Sequence, residues 1–211
     1  MIKDWNFWLS VVTASVAIIA LIQTRQQIKL SNKQHLFDKR LENYLIAIGL
    51  IQLYRNNRDN LNHDNDEPIS AIDLEFAFLT NNTYLEQITS AIINPLKEPS
   101  HSKLLTKLEH LNEVETKIKF LFSGKSSILL GEFVLCYKKL LFAMYQYKII
   151  IDKMQNEAQE HNVTLEVAQQ RFGEKKRRVK LQEAFDNLKL ADTALINENV
   201  EEQIKKQIKL H

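Results

Sequence analysis

Residues 5–30 read "WNFWLSVVTASVAIIALIQTRQQIKL", and the nature of this stretch decides where the rest of the chain works. Residues 5–22 are apolar except for Asn6, Ser10, Thr13 and Ser15, and the run stops at Gln23, after which cations follow. At about 1.5 Å of rise per residue such a helix spans roughly 27 Å, close to the ~30 Å hydrocarbon core of a bilayer. The three hydroxyls can bond back to helix carbonyls, which makes them tolerable in lipid. Trp5 and Trp8, the only tryptophans in the chain, lie at one end, where an interfacial aromatic belt belongs. The predicted anchor is therefore residues 1–22, with Trp5, Trp8, Val11, Val12, Val16, Ile18, Ile19, Leu21 and Ile22 facing lipid.

Two other readings fit less well. A signal peptide needs a cationic start and a small-residue cleavage site after its apolar core. Here Lys3 and Asp4 cancel, and the small residues Ala14, Ser15 and Ala17 lie inside the apolar run. A buried soluble helix would keep a polar face for water, and residues 11–22 have almost none. The flanking charges set the orientation. Arg25, Lys29, Lys33, Lys39 and Arg40 form a basic collar after the span, against Asp38 alone. By the positive-inside rule that side stays cytoplasmic and the N-terminus points out, as in a single-pass protein of a bacterial inner membrane.

The 211 residues suit one domain with an appendage. Only four glycines and three prolines are present, and strand patterns are absent, so the expected fold is all-α: a transmembrane helix leading into a cytoplasmic helical bundle. A stalk helix is expected over residues 23–54, with Phe37, Leu41 and Tyr44 packing onto a bundle of residues 55–211. The Ser31 to Gln34 spacing, a capping box, is the one candidate break in that helix. Residues 55–68 read as an Asn/Asp-rich loop and residues 69–80 as a short helix. Asn82 and Thr83, Ser100, and Thr164 are expected to cap later helices, and Gly124 to close one. The apolar stretch 128–154 carries Glu132, Lys138, Lys139 and Lys148, each costly at bilayer depth, so it reads as the central core helix. Leu181, Leu188 and Leu195 lie seven apart, with Ala184 and Ala191 between them. That heptad seam suits internal packing or a coiled-coil contact.

The net charge of +2 argues against a general nucleic-acid binder. Cys136 is the only cysteine, which rules out an internal disulfide and suits a reducing compartment. No phosphate-binding glycine loop, nucleophile elbow or zinc-protease motif occurs. A carboxylate-bridged metal pair needs Glu-x-x-His on facing helices, and the one such spacing, Glu98 to His101, is interrupted by Pro99. Glu157 and His161 form an i, i+4 pair with no counterpart. No metal and no cofactor is expected. The densest basic cluster, Arg171, Lys175, Lys176, Arg177 and Arg178, is either a solvated helix face or a contact to anionic lipid.

Two short resemblances add alternatives. Arg58-Asp59-Asn60-Leu61-Asn62-His63 resembles the R-[N/D/H]-x-x-x-H signature of HEPN ribonucleases, all-α proteins often found in phage defence. The resemblance implies His63 as general acid or base and Arg58 on the scissile phosphate. "QHLFDKRLENY", with Phe37, Asp38, Arg40 and Tyr44, resembles the F-[D/E]-x-R-x-x-x-Y helix that follows the single span of many uncharacterised bacterial membrane proteins, some tied to phage defence. That likeness implies no activity. The leading expectation is a membrane-anchored interaction protein (a scaffold, sensor or effector) without catalysis. Its partners would be the bilayer and a protein or a second copy of itself. A membrane-tethered HEPN-like ribonuclease, or a pore-forming effector assembling through Ser10, Thr13 and Ala14, are the alternatives.

Overall fold

The computed structural model describes residues 2–58, 76–161 and 163–209, and no strand occurs among them. Seven helices organise this part of the chain. They are α1 (Ile2–Asn57), α2 (Glu86–Ile93), α3 (Ser100–Leu121), α4 (Lys125–His161), α5 (Leu165–Phe172), α6 (Glu174–Asn197) and α7 (Val200–Ile208). The all-α expectation holds.

α1 runs without interruption through the Ser31 to Gln34 spacing, so that capping box stops nothing. Its first packed residue is Phe37, which is half-buried. From Asn43 on, one face is driven into the bundle through Tyr44, Ala47, Leu50, Ile51 and Tyr54. Residues 5–36 of the helix are exposed, and its packed part begins at Phe37.

α4 is the axis of the bundle and touches every other helix. Phe133, Tyr137, Leu140, Leu141, Met144 and Tyr147 are almost wholly buried along it. Its charges are accommodated inside the protein. Glu132 and Lys139 face out, Lys138 donates to Asn112 Oδ1 at 2.9 Å, and buried Lys148 pairs with Asp152 one turn on, at 2.8 Å. Burial in protein, with these partners, is why an apolar stretch with four charges is a core helix.

The helix ends show how local signals were used. Asn82 Oδ1 accepts from the amides of Tyr84 and Leu85 and caps the turn leading into α2. Ser100 does not cap α3. It is the first helical residue, its hydroxyl shares a hydrogen bond with that of Ser90, and Pro99 precedes it. Thr164 precedes α5 and offers its carbonyl rather than its hydroxyl, accepting from the Ala168 amide. The region after Thr164 is three helices. Gly173, at φ 63°, turns α5 into α6, and Asn199, at φ 49°, turns α6 into α7. Left-handed backbone of this kind is natural for Gly and tolerated by Asn. Leu181, Ala184, Leu188 and Leu195 are buried on α6, the helix that packs most extensively on α4, and Val200 and Ile204 are buried on α7. The heptad seam is thus occupied internally.

Candidate functional site

The most unusual surface is the first third of α1. Over residues 5–22 no side chain is buried, although Trp5 and Trp8 are 70% and 63% exposed and Val11, Val12, Val16, Ile18, Ile19, Leu21 and Ile22 project beside them. Apolar surface of this extent is far more than an ordinary soluble monomer leaves open. The polar side chains within it are satisfied locally. Ser10, Thr13 and Ser15 donate to the carbonyls of Asn6, Leu9 and Val11 at 2.8–2.9 Å, and Thr24 to that of Ala20. Among the described residues this is the one helix long and apolar enough to cross a membrane.

The cations that follow divide into two groups. Arg25, Lys29 and Lys33 stand on the unpacked stalk. Lys39 Nζ pairs with Glu42 at 3.0 Å. Arg40 is a clamp. Its Nε donates to the Leu121 carbonyl and its NH1 to the Gln207 carbonyl, both at 2.8 Å, and its guanidinium lies 5.9 Å from the centre of the Phe122 ring. It ties the stalk to the last carbonyls of α3 and α7, where a cation also complements the helix dipole.

At the other end of the packed part of α1, Arg55 joins three helices. Its Nε meets Asp192 Oδ1 of α6 and its NH1 meets Glu201 Oε1 of α7, both at 2.7 Å. Burial opposes the Arg55 charge, but the bonds to Glu201 and Asp192 outweigh it and hold its pKa above the ordinary arginine value. Arg58, one turn on, sits 3.9 Å from the other oxygen of Asp192, in a cleft of about 320 Å³. His63, its proposed catalytic companion, lies outside the described residues. Asp192 and Asp186 share that cleft with Arg58 and Lys189, so its charges are mixed.

The basic cluster is largely paired. Arg171 bonds Glu157, Arg177 donates to Gln146 Oε1 at 2.8 Å, and Arg178 Nε lies 3.2 Å from Glu174 Oε1. Glu174 is wholly buried and also accepts from the Tyr147 hydroxyl at 2.5 Å. Lys175 and Lys176 remain exposed. The cluster is also remote from the arm. α1 and α4 run the same way, since Arg40 contacts Leu121 and Phe122 just before α4 starts and Tyr54 meets Phe133 farther along. Gln146 lies 21 residues beyond Lys125, roughly 32 Å up α4 from the end where the stalk emerges.

No group of three or more His, Cys, Asp or Glu side chains suited to a metal occurs among the described residues. His101 stacks on Tyr145 and shares a 2.7 Å hydrogen bond with its hydroxyl, and Glu98 accepts from Ser102. Cys136 is half-buried, and burial pushes its thiol pKa up, the wrong direction for a nucleophile. Sequence reasoning missed Arg55, Asp192 and the clamp role of Arg40. Their partners lie 137 and 81 residues away, beyond the reach of any local pattern. In comparison with known proteins, no family model, curated protein or solved structure matches the chain.

Proposed function

We propose that this protein is anchored in a bacterial inner membrane by residues 5–22 and presents its helical bundle at the cytoplasmic face, where it acts by protein interaction or self-association. One observation carries the reading: eighteen residues of apolar helix leave the bundle unpacked, with their hydroxyls bonded inside the helix itself. Lipid is the environment that this combination suits. The cations at Arg25, Lys29 and Lys33 support the cytoplasmic orientation. The pore alternative draws less support, because Ser10 and Thr13 use their hydroxyls within their own helix.

Flotation on a density gradient tests the anchor. Full-length protein should float with liposomes, and protein lacking residues 1–22 should stay at the bottom as a folded helical domain. Full-length protein that remains soluble and monodisperse without lipid or detergent would remove this reading. Protease protection in inverted and right-side-out vesicles tests the orientation.

A further inference from the structure

Arg25 and Lys29 stand on the stretch of α1 that nothing in the bundle covers, and both are exposed. Neither has an ion pair or a hydrogen bond among the described residues. Residues 23–37 contain no Asp or Glu that could neutralise them. The nearest acids farther along the helix are Asp38 and Glu42, and Glu42 pairs with Lys39. Four residues separate the two cations, which puts them on one side of the helix. Lys33, a turn farther out, lines the groove beside α7 instead.

Position along the helix selects the anion. Arg25 and Lys29 follow Ile22 by 3 and 7 residues. With the span in place, their Cα atoms stand at most about 5 and 11 Å beyond the hydrocarbon edge. Tilt of the helix only lowers these heights. Helical side chains lean toward the N-terminus of their helix, which here is the membrane side. Both long side chains therefore reach back toward the head-group layer, about 5–7 Å deep, as snorkelling cations do. Arg25 offers a planar fork that matches two phosphate oxygens, and Lys29 a compact point charge. A zwitterionic head group carries its own cation, which offsets that attraction. We propose that Arg25 and Lys29 form a lipid-facing pair that gathers phospholipids of net negative charge around the cytoplasmic end of the span. This inference rests on the anchored reading, because the span is what sets the height of both cations.

The test places full-length protein in nanodiscs of equal phosphatidylglycerol and phosphatidylcholine and counts the lipids that stay bound on release by native mass spectrometry. Phosphatidylglycerol should be enriched about fivefold at low salt, the scale of one surface cation, and less at high salt. Arg25→Gln with Lys29→Gln should bring the ratio close to one while the circular dichroism of the bundle is unchanged. Arg25→Lys with Lys29→Arg, which keeps both charges, should retain most of the enrichment. Lys175→Gln with Lys176→Gln, remote on α6, should leave it intact. Inorganic phosphate, matched to chloride in ionic strength, should displace no more lipid than chloride does. Selective displacement by phosphate would make a free anion the occupant and overturn the proposal. Enrichment that survives Arg25→Gln with Lys29→Gln, or that falls equally in the Lys175, Lys176 variant, would overturn it as well. Flotation separates the two readings: protein that floats without a lipid preference loses this inference alone, and protein that does not float loses the anchor with it.

Discussion

Arg55, in the last turn of α1, closes on Asp192 of α6 with 2.7 Å between Nε and Oδ1, and the Asp192 side chain is only 4% exposed. This pair, with Glu201 as third member, locks the end of the stalk helix to both C-terminal helices. Without Asp192, Arg55 is 28% exposed and keeps Glu201, but it loses one charge-assisted hydrogen bond. Asp192→Ala should therefore destabilise the bundle by about 1.5–3 kcal/mol, read as a lower urea midpoint by circular dichroism. Asp192→Leu with Arg55→Met should recover much of that loss. If the double variant is worse than the single one, the pair is not the source of the effect.

Tyr137 predicts an alkaline weakness. It is wholly buried, donates to the Leu79 carbonyl at 2.7 Å, and burial pushes its phenol pKa far above the ordinary value of 10. Burial likewise raises Tyr44, Tyr84 and Tyr145. The folded state holds these phenols neutral, while the unfolded chain can release their protons once the pH passes about 10. Their contribution to stability is complete below that pH and is lost progressively above it, at up to ~1.4 kcal/mol per pH unit for each group. Tyr137→Phe should cost about 1–3 kcal/mol at neutral pH, because the Leu79 carbonyl loses its donor, and should flatten the alkaline slope. An unchanged slope would mean that Tyr137 ionises normally.

Leu188 separates internal from intermolecular use of the heptad seam. It is fully buried, whereas Leu190, two residues on, is 67% exposed. Leu188→Ala should lower stability by about 2–5 kcal/mol without altering the oligomeric state seen by light scattering. Leu190→Lys should stay within about 0.5 kcal/mol of the parent. Dissociation of an oligomer by Leu188→Ala at unchanged monomer stability would reverse this assignment.

Trp5 and Trp8 make the arm its own reporter, since no other tryptophan exists in the chain. Adding lipid vesicles should shift their emission to the blue and expose them to quenching by brominated lipid. Val16→Arg places a cation near the middle of the span, at a cost of about 2.5–3.5 kcal/mol. It should shift protein from the membrane to the soluble fraction while the far-ultraviolet spectrum of the bundle persists. Tryptophan emission that ignores lipid in the parent protein would contradict the proposed insertion.

Much of this protein follows from local chemistry. The scarcity of Gly and Pro, the apolar run over residues 5–22 and the 3.6-residue pattern around Tyr137 and Leu188 made an all-α chain with one free apolar helix legible from sequence. Those features depend on neighbours three or four residues away, which sequence displays directly. Charges behaved differently. Arg40 reads as one more collar cation, and Arg58 as half of a catalytic pair, because sequence shows a charge without what stands opposite it. Tertiary structure decided that Arg40 grips the carbonyls of Leu121 and Gln207, that Arg58 faces Asp192, and that Lys33 shares a groove with Lys206 and Lys209. It also put the 171–178 cluster far from the arm and engaged Arg171, Arg177 and Arg178 with Glu157, Gln146 and Glu174. Helix formation is a matter of near neighbours, whereas the role of a charge is set by partners that only folding brings within reach.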